Sequence, residues 1–346
     1  MKELFYGCLK PLIRFGFYCY YQRLRMVDMD RVPRDKPAML LPNHQNALLD
    51  PLIVAALAKA RRPYFLTRSD VFTGGFLQNI LESLRMIPIY RIRDGRDTLH
   101  RNEEIFDRCA DLLNQGEHLL LFPEANHNLG RRVRTLSKGF TRIAINALEK
   151  YPETDLQLIP VGINFQRGAD FPDRVTYRFG HPLPAAAYVK GVDFNEDSKA
   201  MKAAVSASLK VLTTHVPEDQ DYEQTMERLG GLQPDFSNPD PINAWFENPD
   251  TAVPKLPLKK GLLWKLWDVI FKVVNLPLVA IWKVWVKPKV WEPEFMSTFR
   301  FGFALITAPI YLILLGVLFG IFTGWITGIA VPAGVFLHNI LYIKLR

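Results

Sequence analysis

The stretch "LLPNHQNALLDPLIVAAL" (residues 40–57) holds a polar knot between two apolar runs, with His44 and Asp50 six positions apart. Asp50-Pro51 reads as a helix cap and first helical residue, opening a helix through about Ala60. If the preceding loop folds back on that cap, the carboxylate accepts a hydrogen bond from one imidazole nitrogen and leaves the other as an acceptor. It also stabilises the imidazolium once a proton arrives. Such a pair deprotonates a hydroxyl. No serine or cysteine stands beside it, which favours attack by a substrate hydroxyl over a covalent enzyme intermediate. The same spacing equally suits an Asp50 that only caps and a His44 that bonds locally.

Elements able to position these residues alternate through residues 36–215. Short apolar runs at 37–44, 62–68, 85–91, 118–125, 155–165 and 174–180 read as strands, and 97–115 and 138–150 as helices. This alternation predicts an α/β layer. Residues 216–258, rich in Pro, Asp, Asn and Glu, read as a linker or loose surface arm rather than a second core.

The carboxy-terminal part has a different character. Between Phe301 and Ile343 there is no Asp, Glu, Lys or Arg over 43 residues, while one membrane crossing takes about 20 apolar residues. The run predicts a helical hairpin, turning near Gly320, Thr323, Gly324 and Gly328. Arg300 before it and Lys344 and Arg346 after it put both ends on the cytoplasmic side. Before the hairpin, residues 259–291 mix Trp264, Trp267, Trp282, Trp285 and Trp291 with lysines, a composition suited to the headgroup boundary, with a break expected at Pro277. The first 26 residues repeat the aromatic-cationic pattern, and both stretches also suit an amphipathic helix packed on the protein's own core. The expected organisation is therefore an amphipathic surface segment (1–35), the α/β domain (36–215), the linker (216–258), interfacial helices (259–298) and two transmembrane helices (299–346).

Composition narrows the function classes. The 346 residues carry 43 Lys+Arg against 35 Asp+Glu, a net charge of +8, which suggests an anionic partner. Aromatic content of 12% argues against a disordered nucleic-acid-binding tail, and no nucleic-acid motif is present. Cys8, Cys19 and Cys109 are scattered and imply neither a disulfide framework nor a zinc site. Lys10, Arg14, Arg23 and Arg25 interrupt the early apolar stretches, so no cleavable signal peptide is expected. Beyond the knot, "GRRVRTLSK" gathers Arg131, Arg132, Arg134 and Lys138, arginine forks suited to phosphate oxygens. Lys138-Gly139 opens a helix whose first amides favour anions.

Four blocks in order resemble those of the PlsC-type glycerolipid acyltransferases, also called lysophospholipid acyltransferases. "NHQNALLD" resembles the family's NH-x4-D with one extra residue, "MIPIYRIRDG" its arginine block, "FPEANHN" its FPEGTRS block, and "LIPVGINF" its apolar strand with proline, here Pro160. In the third block Ala125, Asn126 and His127 stand where the family has glycine, threonine and arginine. The resemblance spans roughly residues 36–182. It implies a mixed-sheet α/β acyltransferase domain with flanking helices, joined here to a carboxy-terminal transmembrane hairpin.

The resemblance further implies transfer of a fatty acyl group from acyl-CoA or an acyl-carrier protein to a hydroxyl of a glycerol-phosphate or lysophospholipid. His44 would be the base and Asp50 its orienter. Asn43, Arg91 (with Arg93 as rival), Glu124, His127, Arg134 and Lys138 would bind substrate. Glu124 is alternatively a structural partner of a nearby arginine. No metal or redox cofactor and no nucleic-acid partner is implied. The expected location is the cytoplasmic face of the cytoplasmic membrane or, in a eukaryote, of the endoplasmic reticulum. Two rival readings are a non-catalytic lipid-binding adaptor on this scaffold and a lipid hydrolase.

Overall fold

In a computed structural model, residues 2–57, 61–69, 84–90, 101–191, 193–256 and 261–346 are described. Eight strands among them form one mixed sheet: β1 (Arg23–Val27), β2 (Ala38–Pro42), β3 (Tyr64–Arg68), β4 (Met86–Ile89), β5 (His118–Leu120), β6 (Gln157–Phe165), β7 (Arg174–Phe179) and β8 (Leu183–Pro184). The order is β1-β7-β6-β2-β5-β3-β4, with β8 beside the start of β6. Strands β2 to β6 run parallel, while β7 and β8 run against β6 and β1 follows β7. The sheet is thus the mixed α/β layer that the alternation predicts. β1 is an addition, since residues 23–27 belong to the segment expected at the membrane surface but pair with β7 instead.

Buried on both faces, the central strands read as continuous apolar runs: all five residues of β2 and all nine of β6 are buried. Pro160 sits inside β6, where proline usually removes a needed donor. Its carbonyl accepts from Gly180 N, in the turn between β7 and β8. The missing N–H therefore falls where β6 changes partner from β8 to β7. Gly162 solves a second crowding problem, because a Cβ there would run into the Leu212 carbonyl.

Helices cover the two faces. On one lie α3 (Arg101–Asn114), α4 (Gly139–Lys150) and α5 (Phe194–Leu212), packing Leu113, Phe140, Ile143 and Met201 against Met39, Leu41 and Leu119. On the other lie α1 (Lys2–Tyr20) and α2 (Leu49–Leu57), burying Phe17, Tyr20, Leu49 and Ile53 against Leu40, Ile159 and Val175. Residues 216–258 differ from expectation. They form α6 (Tyr222–Leu232) and α7 (Asp240–Glu247), which enclose Leu229, Ile242 and Trp245 in a small core of their own. The start signals were present in the sequence: Asp221 caps α6 through Gln224 N, and Asp240-Pro241 opens α7. Flanking polar residues masked the few apolar positions.

The carboxy-terminal portion begins with α8 (Leu262–Val274) and α9 (Leu276–Ile281), which meet at an 87° bend at Asn275, beside the expected break at Pro277. Then α10 (Met296–Thr323) and α11 (Trp325–Leu345) form the apolar hairpin, each long and apolar enough to cross a bilayer. Gly324, at φ 103°, makes the reversal. Added Cβ atoms at Gly316 or Gly328 would press on the facing helix backbone, so small residues bring the two helices together. Phe301 of α10 packs at 4.6 Å on Phe17 of α1, joining hairpin to domain.

Candidate functional site

Parallel neighbours β2, β5 and β6 deliver three loops to one edge of the sheet, where open α/β folds bind ligands. The loop after β2 carries His44 to Asp50, the loop after β5 carries Phe122 to Lys138, and the loop after β6 carries Arg167 and Gly168.

His44 and Asp50 meet. Nδ1 of His44 lies 2.9 Å from Asp50 Oδ2, and the same oxygen accepts from Gln45 N at 2.8 Å and Asn46 N at 2.7 Å. Asp50 is therefore not the outermost cap of its helix. It occupies the first turn of α2, and its carboxylate reaches back to the amides of the loop it organises. Two backbone donors and one ring donor converge on a fully buried oxygen, charge-assisted bonds of the stronger kind. Oδ1 has no hydrogen-bond partner among the described residues. The His44 ring stacks on Phe122 at 3.8 Å and 15°, which fixes its plane. Nε2 keeps no hydrogen-bond partner among the described residues.

The loop is braced on every side. Asn43, expected to bind substrate, instead exchanges two hydrogen bonds with the backbone of Ile163 and is buried against β6. This corrects that assignment: its amide replaces ladder bonds beyond the end of β2. Asn46 donates to Gly168 O at 2.8 Å, and Tyr177 donates to Asp50 O. Asn128 N donates to His44 O. The backbone amides of residues 44–46 are committed within the loop, His44 N to Glu124 and the next two to Asp50.

Glu124 is buried beside the His44 backbone. Its side chain is 5% exposed and accepts from Arg134 Nη2 at 2.9 Å, Arg134 N at 3.1 Å and His44 N at 3.4 Å. The carboxylate thus takes the structural arginine partnership, and it orients Arg134 at the site. Ala125, where the family pattern has glycine, adopts φ 63°, the left-handed region that favours glycine.

The basic cluster divides. Arg131 and Arg132, grouped in the sequence with the phosphate-binding candidates, are spent on structure. Arg131 is buried, donates to the carbonyls of Phe165 and Gln166 and covers the Phe236 ring; burial pulls its guanidinium down to about 10. Arg132 donates to the carbonyls of Val216, Pro217 and Gln220. Both thereby tie residues 216–236 to the domain. Arg134 and Lys138 stay on the accessible side. Arg134 is 32% exposed, and Lys138, bonded to Asn195, precedes the first turn of α4. Arg91 and its rival Arg93 lie outside the described residues.

His127 sits edge-on to His44, with ring centres 5.6 Å apart, and bonds through Nε2 to Glu292 at 2.6 Å. Glu294 lies close to the same pair, and Phe295 closes edge-on against His127 at 5.0 Å. Ser297 Oγ donates to Gly168 O, the carbonyl that Asn46 also uses. The segment leading into the hairpin thus forms one wall of the site. Sequence reasoning missed Glu292, Phe295, Ser297 and Gly168, and no local spacing could reveal partners 129 to 165 positions apart.

Comparison with known proteins gives concordant findings. A family model described as Acyltransferase matches residues 23–164. A glycerol-3-phosphate O-acyltransferase 1 of Saccharomyces cerevisiae is 24% identical over 132 residues, 36% of this chain and 17% of that protein. The chloroplastic 1-acyl-sn-glycerol-3-phosphate acyltransferase LPAT1 of Arabidopsis thaliana is 24% identical over 152 residues, 42% of this chain and 40% of that protein. The chain thus spans well under half the length of these relatives. The crystal structure of the 1-acyl-sn-glycerophosphate acyltransferase PlsC from Thermotoga maritima aligns with a TM-score of 0.40 at 16% identity, covering 57% of this chain and 74% of that one.

Proposed function

We propose that the chain, whose residues 23–164 match an acyltransferase family model, is a membrane-bound enzyme moving a fatty acyl group from an acyl thioester to a hydroxyl of a glycerol-phosphate or lysophospholipid. The carrying observation is the 2.9 Å contact between His44 Nδ1 and Asp50 Oδ2 at the carboxyl edge of the parallel strands. In this mechanism Nε2 of His44 takes the acceptor hydroxyl's proton as its oxygen attacks the thioester carbonyl. Asp50 holds the Nδ1–H tautomer and balances the imidazolium charge. The tetrahedral oxyanion collapses, the carbon–sulfur bond breaks, and the imidazolium returns its proton to the departing thiolate.

Acceptor phosphate fits Arg134, oriented by Glu124, and Lys138 at the start of α4. His127 stands where the family pattern has arginine, so this cluster carries the phosphate-binding role. Either acyl-CoA or an acyl-carrier protein would serve as donor. The hairpin and the bent α8–α9 pair keep the site at the bilayer surface, where acyl chains and lysolipids partition, and the cations flanking the hairpin favour its cytoplasmic face.

The test is transfer of labelled acyl groups from thioester to a panel of lysolipids and glycerol 3-phosphate by the reconstituted chain, compared with His44→Ala. Labelled diacyl or lysolipid product, lost in the variant, supports the reading. Release of free fatty acid alone makes the protein a hydrolase. Lipid binding without turnover makes it an adaptor.

A further inference from the structure

Between α1, the α8–α9 bend and the hairpin lies a crevice of about 730 Å³, within the range of sites that hold a drug-sized or larger molecule. Its walls are mostly apolar, including Leu12 and Phe15 of α1, Ala304 and Ala308 of α10, and Phe336 of α11. Polar groups deep inside it are mutually satisfied. Asn275 and Asn339 exchange side-chain hydrogen bonds, and Tyr311 donates to the Val274 carbonyl. The interior therefore offers a guest mainly apolar contact.

The charged lining is mostly cationic. Arg167, Arg300 and Lys272 line the crevice against a single lining carboxylate, Asp170, which lies 3.9 Å from Arg167 in an exposed pair. Arg300 is the last charged residue before the 43-residue uncharged run, so it marks the headgroup level. From Arg300 to Leu312, both lining, α10 descends about 18 Å at 1.5 Å per residue. That is about the depth of one leaflet of a hydrocarbon core roughly 30 Å thick. Cations at the headgroup plane above an apolar slot one leaflet deep complement one kind of molecule.

We infer that this crevice is a binding site for a phosphate-headed glycerolipid taken laterally from the bilayer, with its phosphate on Arg300 and Arg167 and an acyl chain along the Ala304–Ala308 face of α10. The site is built independently of the His44–Asp50 chemistry, although its rim reaches the catalytic loop. Arg300 donates to Ala169 O, and the adjoining Gly168 carbonyl is held by Asn46.

Native mass spectrometry of the full chain, with dioleoyl phosphatidic acid, dioleoylglycerol and inorganic phosphate as separate probes, tests the inference. The expected result is one retained phosphatidic acid per chain, weak retention of dioleoylglycerol and none of phosphate. Arg167→Gln should lower retention roughly tenfold, the loss of one charge-assisted contact, and Ala308→Trp should abolish it by filling the slot. His44→Ala should retain lipid fully while losing transfer, which separates this site from the catalytic reading. Equal retention of dioleoylglycerol, or unchanged retention in Arg167→Gln, overturns the inference. A diazirine-tailed phosphatidic acid on the unmodified chain supplies a measurement that needs no variant to fold. Labelling of 12–19 and 304–312 supports the site, and labelling spread evenly over the lipid-facing Ile313, Leu314 and Ile321 refutes it.

Discussion

Replacing Asp50 by asparagine separates its two duties. The oxygen now at Oδ2 must still accept from Gln45 N and Asn46 N, so the asparagine is forced to place its carbonyl oxygen there and not its amide. The loop survives, His44 Nδ1–H keeps an oxygen acceptor, and Nε2 remains available as base. Only the negative charge is lost. For charge centres about 4 Å apart at an effective dielectric near 20, the attraction to a forming imidazolium is about 4 kcal/mol, and a neutral hydrogen bond keeps roughly half of it. The remaining loss of about 2 kcal/mol lowers kcat roughly thirtyfold. Asp50→Ala, by contrast, strands two amides and the imidazole, and each unpaired donor costs about 1–3 kcal/mol. Its activity should fall to the level of His44→Ala, a loss on the order of 10² to 10⁴. Initial rates of acyl transfer in mixed micelles, at saturating donor and acceptor, read the three variants together. An asparagine variant as inactive as the alanine variant would show that the charge or the tautomer dominates. Full activity in both Asp50 variants would refute the base–orienter reasoning altogether.

Glu124→Gln leaves one oxygen for donors that now occupy two, and it removes the charge that holds Arg134; a ten- to hundredfold fall in kcat/KM, borne mostly by KM for a phosphorylated acceptor, is expected from about 1.5–3 kcal/mol. Gly162→Ala drives a methyl into the Leu212 backbone and should destabilise by about 3 kcal/mol, read as a lowered thermal midpoint. Burial holds the Asp173 carboxyl up at about 6 against an ordinary 3.8, so folding favours its protonated form. Its contribution to stability is complete below about pH 3.8 and is lost as pH rises through 6, a change of about 3 kcal/mol. Thermal midpoints across that window should decline in the native chain and flatten in Asp173→Asn; parallel profiles would refute the assignment.

Local chemistry made much of this legible. Strand and helix positions followed from apolar periodicity, the hairpin from an uncharged run, and the His44–Asp50 encounter from a cap signal six residues downstream of a histidine. What escaped were choices settled by tertiary partners. Nothing in "GRRVRTLSK" separates Arg131 and Arg132, consumed by carbonyls of residues 165–166 and 216–220, from Arg134, which pairs with Glu124 and stays partly exposed. Asn43 looks like a ligand-binding amide until β6 lies beside it. The residues of 216–258 seemed too polar to pack, yet Leu229, Ile242 and Trp245 suffice for a small core because Arg131 and Arg132 tether it. The aromatic-cationic start concealed a strand, since β1 needs β7 to exist.

The hairpin is moored at both ends. Ser297 near its beginning holds Gly168, and Lys344 near its end donates to Tyr21 O at 2.8 Å. A helix pair fixed at a single point could tilt to suit a thinner or thicker bilayer; one fixed twice transmits that mismatch as force. The carbonyl receiving it is the one Asn46 grips from the His44 loop, so a dependence of activity on bilayer thickness is the expected outcome. Turnover measured in bilayers of graded acyl length would register it, as an optimum that disappears in Ser297→Ala.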